Sequence, residues 1–273
     1  MYILNFCPTG MIPTKDMTPH VPTTPREIVR DVVDSPVPIT MVHIHARDDE
    51  GNPTYDKDVY ARIISGIRDH NEDTVICVST SGRNWSEFEK RSEVLDLEGD
   101  VAPDMASLTL SSLNFNRQAS INEPQMIRDL ASKMRDRGIW PELEIFDTGM
   151  VNYARYLISK ELVLQPCYFN IIMGNIACAQ VDPIVLGAIL CDLPIGSLFS
   201  VGGVGDYQLQ ANVLGLACGG GVRIGLEDNI WRTPERKELA TNHFLLSRIN
   251  AIAGAMELSP MPPQVFRERL WDL

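Results

Sequence analysis

Short apolar runs alternate with longer amphipathic stretches along nearly the whole chain. The runs Ile3–Cys7, Ile39–His45, Thr74–Ser79, Asp104–Leu110, Glu142–Phe146, Cys167–Met173, Ser197–Val201 and Val222–Leu226 read as strands. Helical spacing is clear after Asp56, where Val59, Ile63, Ile64 and Ile67 share one face. Thr24 reads as an N-cap, with Pro25 at the first helical position of a helix to about Val33. Further helices are expected over 87–97, 122–137, 149–160, 182–190, 207–218 and 234–257. A loop rich in Pro and Thr, from Pro8 to Thr24, is longer than a routine connection.

Strands that alternate with helices form a parallel sheet. Eight such units and no linker in 273 residues favour a closed (β/α)8 TIM barrel, a single α/β domain, which takes ~250 residues. An open dinucleotide-binding sheet is disfavoured, because the first strand-to-helix turn lacks a Gly-x-Gly-x-x-Gly fingerprint. The barrel is expected over residues 1–258. The tail 259–273 carries Phe266, Leu270 and Trp271, and needs a cover on the barrel or on a neighbouring subunit.

Composition narrows the partners. Apolar residues make up 44% of the chain, enough for a substantial core. The net charge is −12 with no Lys/Arg-rich run, so nucleic acid and anionic membranes are not expected. Met1 to Phe6 lacks a basic segment, and no apolar run reaches membrane-spanning length, so a cytoplasmic protein is expected. The six cysteines form no Cys-x-x-Cys, which removes cysteine zinc and redox motifs. Cys7 reads as packing, with no base beside it. An anionic substrate would need a local basic or metal centre.

The candidate chemistry starts at His43 and His45. In a strand they share one face with Arg47. Two imidazoles so placed can bind one metal ion, or they can be hydrogen-bonded core residues. Active sites of such barrels lie at the C-terminal ends of the strands. On the last strand Val222, Ile224 and Leu226 would pack outward, and Arg223, Gly225 and Glu227 inward. Closure puts that strand beside the first, so Glu227 could meet His43 and His45 across the mouth. Two His and one Glu with an open position is a catalytic zinc set. The alternative pairs Glu227 with Arg223 as a structural ion pair; keeping such a buried pair without function is costly, which favours the metal. The other histidines, His20, His70 and His243, end no strand, which argues against a two-metal hydrolase.

Several stretches carry a resemblance. They are Val42-His43-Ile44-His45-Ala46-Arg47-Asp48, Val78-Ser79-Thr80-Ser81-Gly82, Pro103-Asp104-Met105-Ala106-Ser107-Leu108 and Leu113-Asn114-Phe115. Pro141-Glu142-Leu143-Glu144-Ile145-Phe146, Met173-Gly174 and Gly220-Gly221-Val222-Arg223-Ile224-Gly225-Leu226-Glu227-Asp228-Asn229 follow in order. With them the chain resembles the β-keto acid cleavage enzyme family. The resemblance implies a zinc-dependent barrel that turns a β-keto acid and acetyl-CoA into acetoacetate and a new acyl-CoA. It implies His43, His45 and Glu227 as Zn2+ ligands. Ser79 and Ser107 would hold the substrate carboxylate, with Thr80, Ser81 and Gly82 beside them. Arg223 and Asp228 match the dyad that handles the proton on acetyl-CoA. A homotetramer is also implied.

One position departs from the family. The type enzyme has a Glu in the first loop that meets a substrate ammonium, and Ile12 stands there in this chain. An uncharged substrate side chain is therefore expected. The turn of Gly202, Gly203, Val204 and Gly205 has two readings: a phosphate cradle for CoA, or a tight loop that simply needs glycines. Competing functions are a metal-dependent hydrolase or aldolase that ignores CoA, and a non-catalytic binder. Intact His43, His45, Glu227, Arg223 and Asp228 count against the binder.

Overall fold

Side-chain alternation lets each strand serve two cores at once. In the computed structural model, which describes residues 1–271, the barrel strands are β1 (Leu4–Phe6), β2 (Met41–Ile44), β3 (Val75–Val78) and β4 (Met105–Thr109). They continue as β5 (Trp140–Ile145), β6 (Tyr168–Met173), β7 (Leu198–Gly203) and β8 (Gly221–Ile224). All neighbours pair parallel, and β1 pairs with both β2 and β8, which closes the barrel. This is the (β/α)8 architecture expected from the alternation of runs.

Outward residues such as Val42, Ile44, Ile76, Val78, Val222 and Ile224 pack under the helices in one large apolar core. Inward residues are mostly polar towards the mouth: Asn5, His43, Ser107, Glu142, Asn170, Ser200 and Arg223 are all buried. Towards the floor they turn apolar, and Ile3, Met41, Val75, Cys77, Met105 and Tyr168 form a second core. The lengthwise split in polarity puts the chemistry at one end of the barrel.

Several helices start where capping residues stop the loops. Thr24 accepts from the Glu27 N–H to open α1 (Pro25–Val33), and Asp56 accepts from the Asp58 N–H to open α2 (Lys57–Arg68). Then come α3 (Phe88–Ser92), α4 (Pro124–Asp136) and α5 (Thr148–Ser159), the last capped by Asp147. Asp182 caps α6 (Pro183–Asp192), and α7 spans Gln208–Ala217. Among the described residues no helix is long and apolar enough to cross a membrane.

Four local readings differ. The segment 87–97 is the short α3 followed by a 3-10 turn over Glu93–Asp96. The last long helix, α8 (Asn242–Ala255), starts later than position 234, because Thr241 supplies the cap. A two-stranded hairpin, Leu113–Asn114 with Ala119–Ser120, was not anticipated. Strand β8 stops at Ile224, so Leu226 and Glu227 lie in a turn.

The tail has its cover within this chain. Tyr2 bridges to Pro260, and α9 (Pro263–Trp271) lies across the barrel floor. Phe266 and Leu270 are fully buried against the floor core, with Phe266 edge-on to Tyr168 at 5.4 Å between centroids. The last two tail residues, 272–273, lie outside the described residues. Replacing a fully buried Phe by Ala removes its packing and leaves a cavity, costing about 3 to 5 kcal/mol. Phe266→Ala should lose that much unfolding free energy in a denaturant titration. A loss below about 1 kcal/mol would contradict the role given to α9.

Candidate active site

The site is built around a buried carboxylate. Glu142 points inward from β5 and is wholly buried. Its Oε2 lies 2.5 Å from Nδ1 of His43, and its Oε1 accepts from Asn5 at 2.6 Å and Asn170 at 3.1 Å. Cys77 donates to Oε2 at 3.3 Å. These bonds fix the His43 ring and leave its Nε2 facing the mouth. His45, just beyond β2, puts its Nε2 3.2 Å from that atom and 3.1 Å from Oε1 of Glu227.

Glu227 reaches the histidines through a turn. Gly225 has φ +152°, and a Cβ there would collide with the Cys7 carbonyl. No other residue fits so close an approach. The Glu227 N–H then donates to the same carbonyl at 3.3 Å. Arg223, on β8, ties the turn together. Its Nη2 meets Glu227 Oε1 at 2.7 Å, and its Nε donates to Asp228 Oδ2 at 2.8 Å. Its Nη1 lies 3.7 Å from Glu144, whose other oxygen accepts from Thr109 at 2.6 Å.

Burial and these charges set the protonation states. Burial opposes a charged His43, but the Glu142 and Glu227 carboxylates outweigh it and raise its pKa to about 9. Burial lowers that of His45. Burial alone would raise Glu227, but Arg223 and both histidines hold it well below the usual carboxylate range. Asp228 goes the other way: burial raises it, and the nearby Glu227 charge adds to burial against the pull of Arg223. Two adjacent carboxylates thus differ in character, Glu227 a persistent anion and Asp228 a stronger base.

Two clusters of metal-type donors occur among the described residues: His43, His45 and Glu227, and His43, Cys77 and Glu142. The second is already a closed hydrogen-bonded set, and burial raises the Cys77 thiol so that it stays protonated. The first fits a cation. Two imidazole nitrogens face each other there with a carboxylate, and the buried Glu227 Oε2 has no hydrogen-bond partner among the described residues. Glu227 meets His45 and Arg223 together.

A cavity of about 330 Å³ opens over this set. Of the sequence-derived residues, His45, Glu227, Arg223, Asp228, Ser79, Ser81 and Ile12 line it. Ser107 does not: its hydroxyl accepts from the Thr80 N–H at 3.2 Å, and Thr109, two residues on, reaches the cavity instead. Thr80 and Gly82 lie behind the wall; Thr80 donates to the Ser107 carbonyl, and Gly82 is pressed against Ile121 and Arg91. Gly202 and Gly203 also lie off the cavity. A Cβ on Gly202 would sit 2.9 Å from the Arg223 side chain, so this glycine makes room for Arg223. Gly205 does line the cavity, and its N–H donates to the Asp228 carbonyl at 2.7 Å. Gly10, pressed against the Glu227 side chain, Glu142, behind His43, and Arg83 were missed as site members; Glu144 and Thr109, polar strand ends without an assigned role, line the cavity. The two inward acids of β5 were the legible signal for Glu142 and Glu144.

Comparison with known proteins bears on this geometry. A 3-keto-5-aminohexanoate cleavage enzyme of Fusobacterium nucleatum subsp. nucleatum is 32% identical over 220 residues, 80% of this chain and 79% of that protein. A 3-oxoadipate:acetyl-CoA acetyltransferase of Cupriavidus necator is 32% identical, covering 92% of this chain and 87% of its own. Among solved structures, ObcA in ternary complex with a C4-CoA adduct and oxalate superposes with a TM-score of 0.80. That likeness covers 92% of this chain and 67% of ObcA at 19% identity, and concerns the fold. The beta-keto acid cleavage enzyme profile matches residues 2–271. A match of that extent leaves no separate part of the described chain to explain: the chain belongs to the beta-keto acid cleavage enzyme family.

Proposed function

We propose that this enzyme condenses a β-keto acid with acetyl-CoA and splits the adduct into acetoacetate and a new acyl-CoA. Family membership and relatives named as acetyl-CoA transferases support the reaction class. The observation that carries the reading is the convergence of His43 Nε2, His45 Nε2 and Glu227 beside the Arg223–Asp228 pair.

Atom balance assigns the base. Acetoacetate must take its carboxylate and methylene from the β-keto acid and its acetyl group from acetyl-CoA. The new bond therefore joins C2 of the keto acid to the thioester carbonyl carbon. The proton to remove is on C2, between ketone and carboxylate, and this revises the expectation that the dyad acts on acetyl-CoA. Asp228 takes that proton, its basicity strengthened by burial and its orientation fixed by Arg223. The thiolate released from acetyl-CoA then attacks the original keto carbon. Cleavage of the C2–C3 bond frees acetoacetate, to which Asp228 returns the proton, and leaves the acyl group on CoA. No enzyme nucleophile is needed, so buried Cys7 and Cys77 stay out of the reaction.

His43, His45 and Glu227 would hold the metal, and zinc suits two imidazoles and a carboxylate with room for a substrate oxygen. When bound, it would supply Lewis-acid stabilisation for charge developing on the keto oxygen. Met11, Ile12, Pro13 and Met17 give the cavity an apolar wall, which favours an uncharged substrate side chain. A cytoplasmic homotetramer belongs to the same proposal; Ile184 and Ile195, 83% and 99% exposed, are apolar positions that contact between copies would cover.

Zinc-loaded protein incubated with a panel of β-keto acids should form acetoacetate only when acetyl-CoA is present. Asp228→Asn should abolish that turnover with zinc content unchanged. Turnover that ignores acetyl-CoA would favour a hydrolase or aldolase, and loss of zinc from the Asn variant would contradict the role of Asp228. Glu142→Gln should weaken zinc affinity about 10- to 100-fold in a chelator competition, since partners behind a ligand histidine contribute that much. An affinity within twofold of the unsubstituted protein would remove Glu142 from the account.

A further inference from the structure

Arg83 stands apart from the other arginines set into the barrel mouth. Arg47 donates to the carbonyls of Gly10, Pro13 and Gly51, and Arg91 to Thr80, Ile121 and Asn122. Arg223 is paired with Glu227 and Asp228. The Arg83 side chain makes no hydrogen bond or ion pair among the described residues. Its Nε is out of solvent and unpartnered. Its one contact of note is the Phe115 ring, with the guanidinium carbon 3.8 Å from the centroid. Stacking holds the plane of the guanidinium but leaves its donors unused.

The sequence places Arg83 there by a chain of hydroxyl turns. Ser79 Oγ accepts from the Ser81 N–H at 3.2 Å, and Ser81 Oγ accepts from the Arg83 N–H at 3.3 Å. Arg91 braces the outer side of the loop by donating to the Thr80 carbonyl at 2.9 Å. Ser79, Ser81 and Arg83 all line the cavity. The Ser79 hydroxyl, used as an acceptor by Ser81, keeps its proton to donate. One wall thus offers hydroxyls and a guanidinium, while Met11, Ile12, Pro13 and Met17 make another wall apolar.

We infer that Arg83 is a substrate-binding residue that takes the C1 carboxylate of the β-keto acid, together with Ser79. This deepens, and rests on, the proposed β-keto acid reaction. A half-buried guanidinium without an anion is costly, and a carboxylate offers the planar, bidentate match that would offset it. It also takes the place expected of Ser107, which does not line the cavity.

Binding to the purified full chain, loaded with zinc to equal content, tests this without turnover. The probes are acetoacetate, which has only a C1 carboxylate, and 3-oxoadipate, which also has a distal one. Arg83→Gln should weaken binding of both by about 10- to 100-fold, the range for a lost charge-assisted hydrogen bond. Arg83→Lys keeps charge and stem but not the planar fork, and should lose about 3- to 10-fold; it serves as the test if the Gln variant does not fold. Unchanged affinity for both probes would overturn the assignment. So would loss for 3-oxoadipate alone, which would place a distal anion at Arg83. Failure of the unsubstituted protein to bind either probe would instead defeat the β-keto acid reading itself.

Discussion

The hydrogen bond between Glu142 and His43 governs the site. A carboxylate wholly out of water needs compensation, and here it takes contacts from His43, Asn5, Asn170 and Cys77. In return it fixes the His43 ring, engaging Nδ1 and leaving Nε2 turned towards the mouth. Every donor of the proposed metal set follows from that orientation: Nε2 of His43 faces Nε2 of His45, and Glu227 closes the set. Glu142, His43, His45, Glu227, Arg223 and Asp228 are thus one connected network.

Arg223 is the second constraint. One guanidinium meets Glu227 and Asp228, yet the two acids differ. Glu227 also sees both histidines and stays ionised, whereas Asp228 has burial and the Glu227 charge against its ionisation. Neighbouring carboxylates pushed apart in this way are suited to separate tasks, one to hold a cation and one to move a proton. Gly202 leaves room for the arginine, and Gly205 ties the backbone carrying Asp228.

Much of the fold was legible because strand alternation is a local property. The inward parity of His43, Arg223, Glu142 and Glu144, and the eightfold alternation of runs, needed no tertiary knowledge. What parity could not show was where a strand ends. Glu227 was placed inward as a continuation of β8, and it arrives inside through a turn that depends on the contact of Gly225 with the Cys7 carbonyl. Ser107 has the right parity for the cavity, but its hydroxyl serves the backbone of the neighbouring loop while Thr109 reaches the opening. Spacing left Gly202 and Gly203 with two readings, a phosphate cradle or a tight loop, and the crowding around them comes from Arg223 and Tyr207. Arg83 was passed over because an arginine becomes informative only once its partners are known to be absent.

The central claim is chemical: the C2 carbon of a β-keto acid attacks the thioester carbonyl. Acetyl-CoA carrying 13C at that carbonyl carbon, turned over with an unlabelled β-keto acid, reads this directly by NMR of the products. The account predicts label at C3 of acetoacetate and none in the new acyl-CoA. Label in the acyl-CoA, or unlabelled acetoacetate, would contradict it.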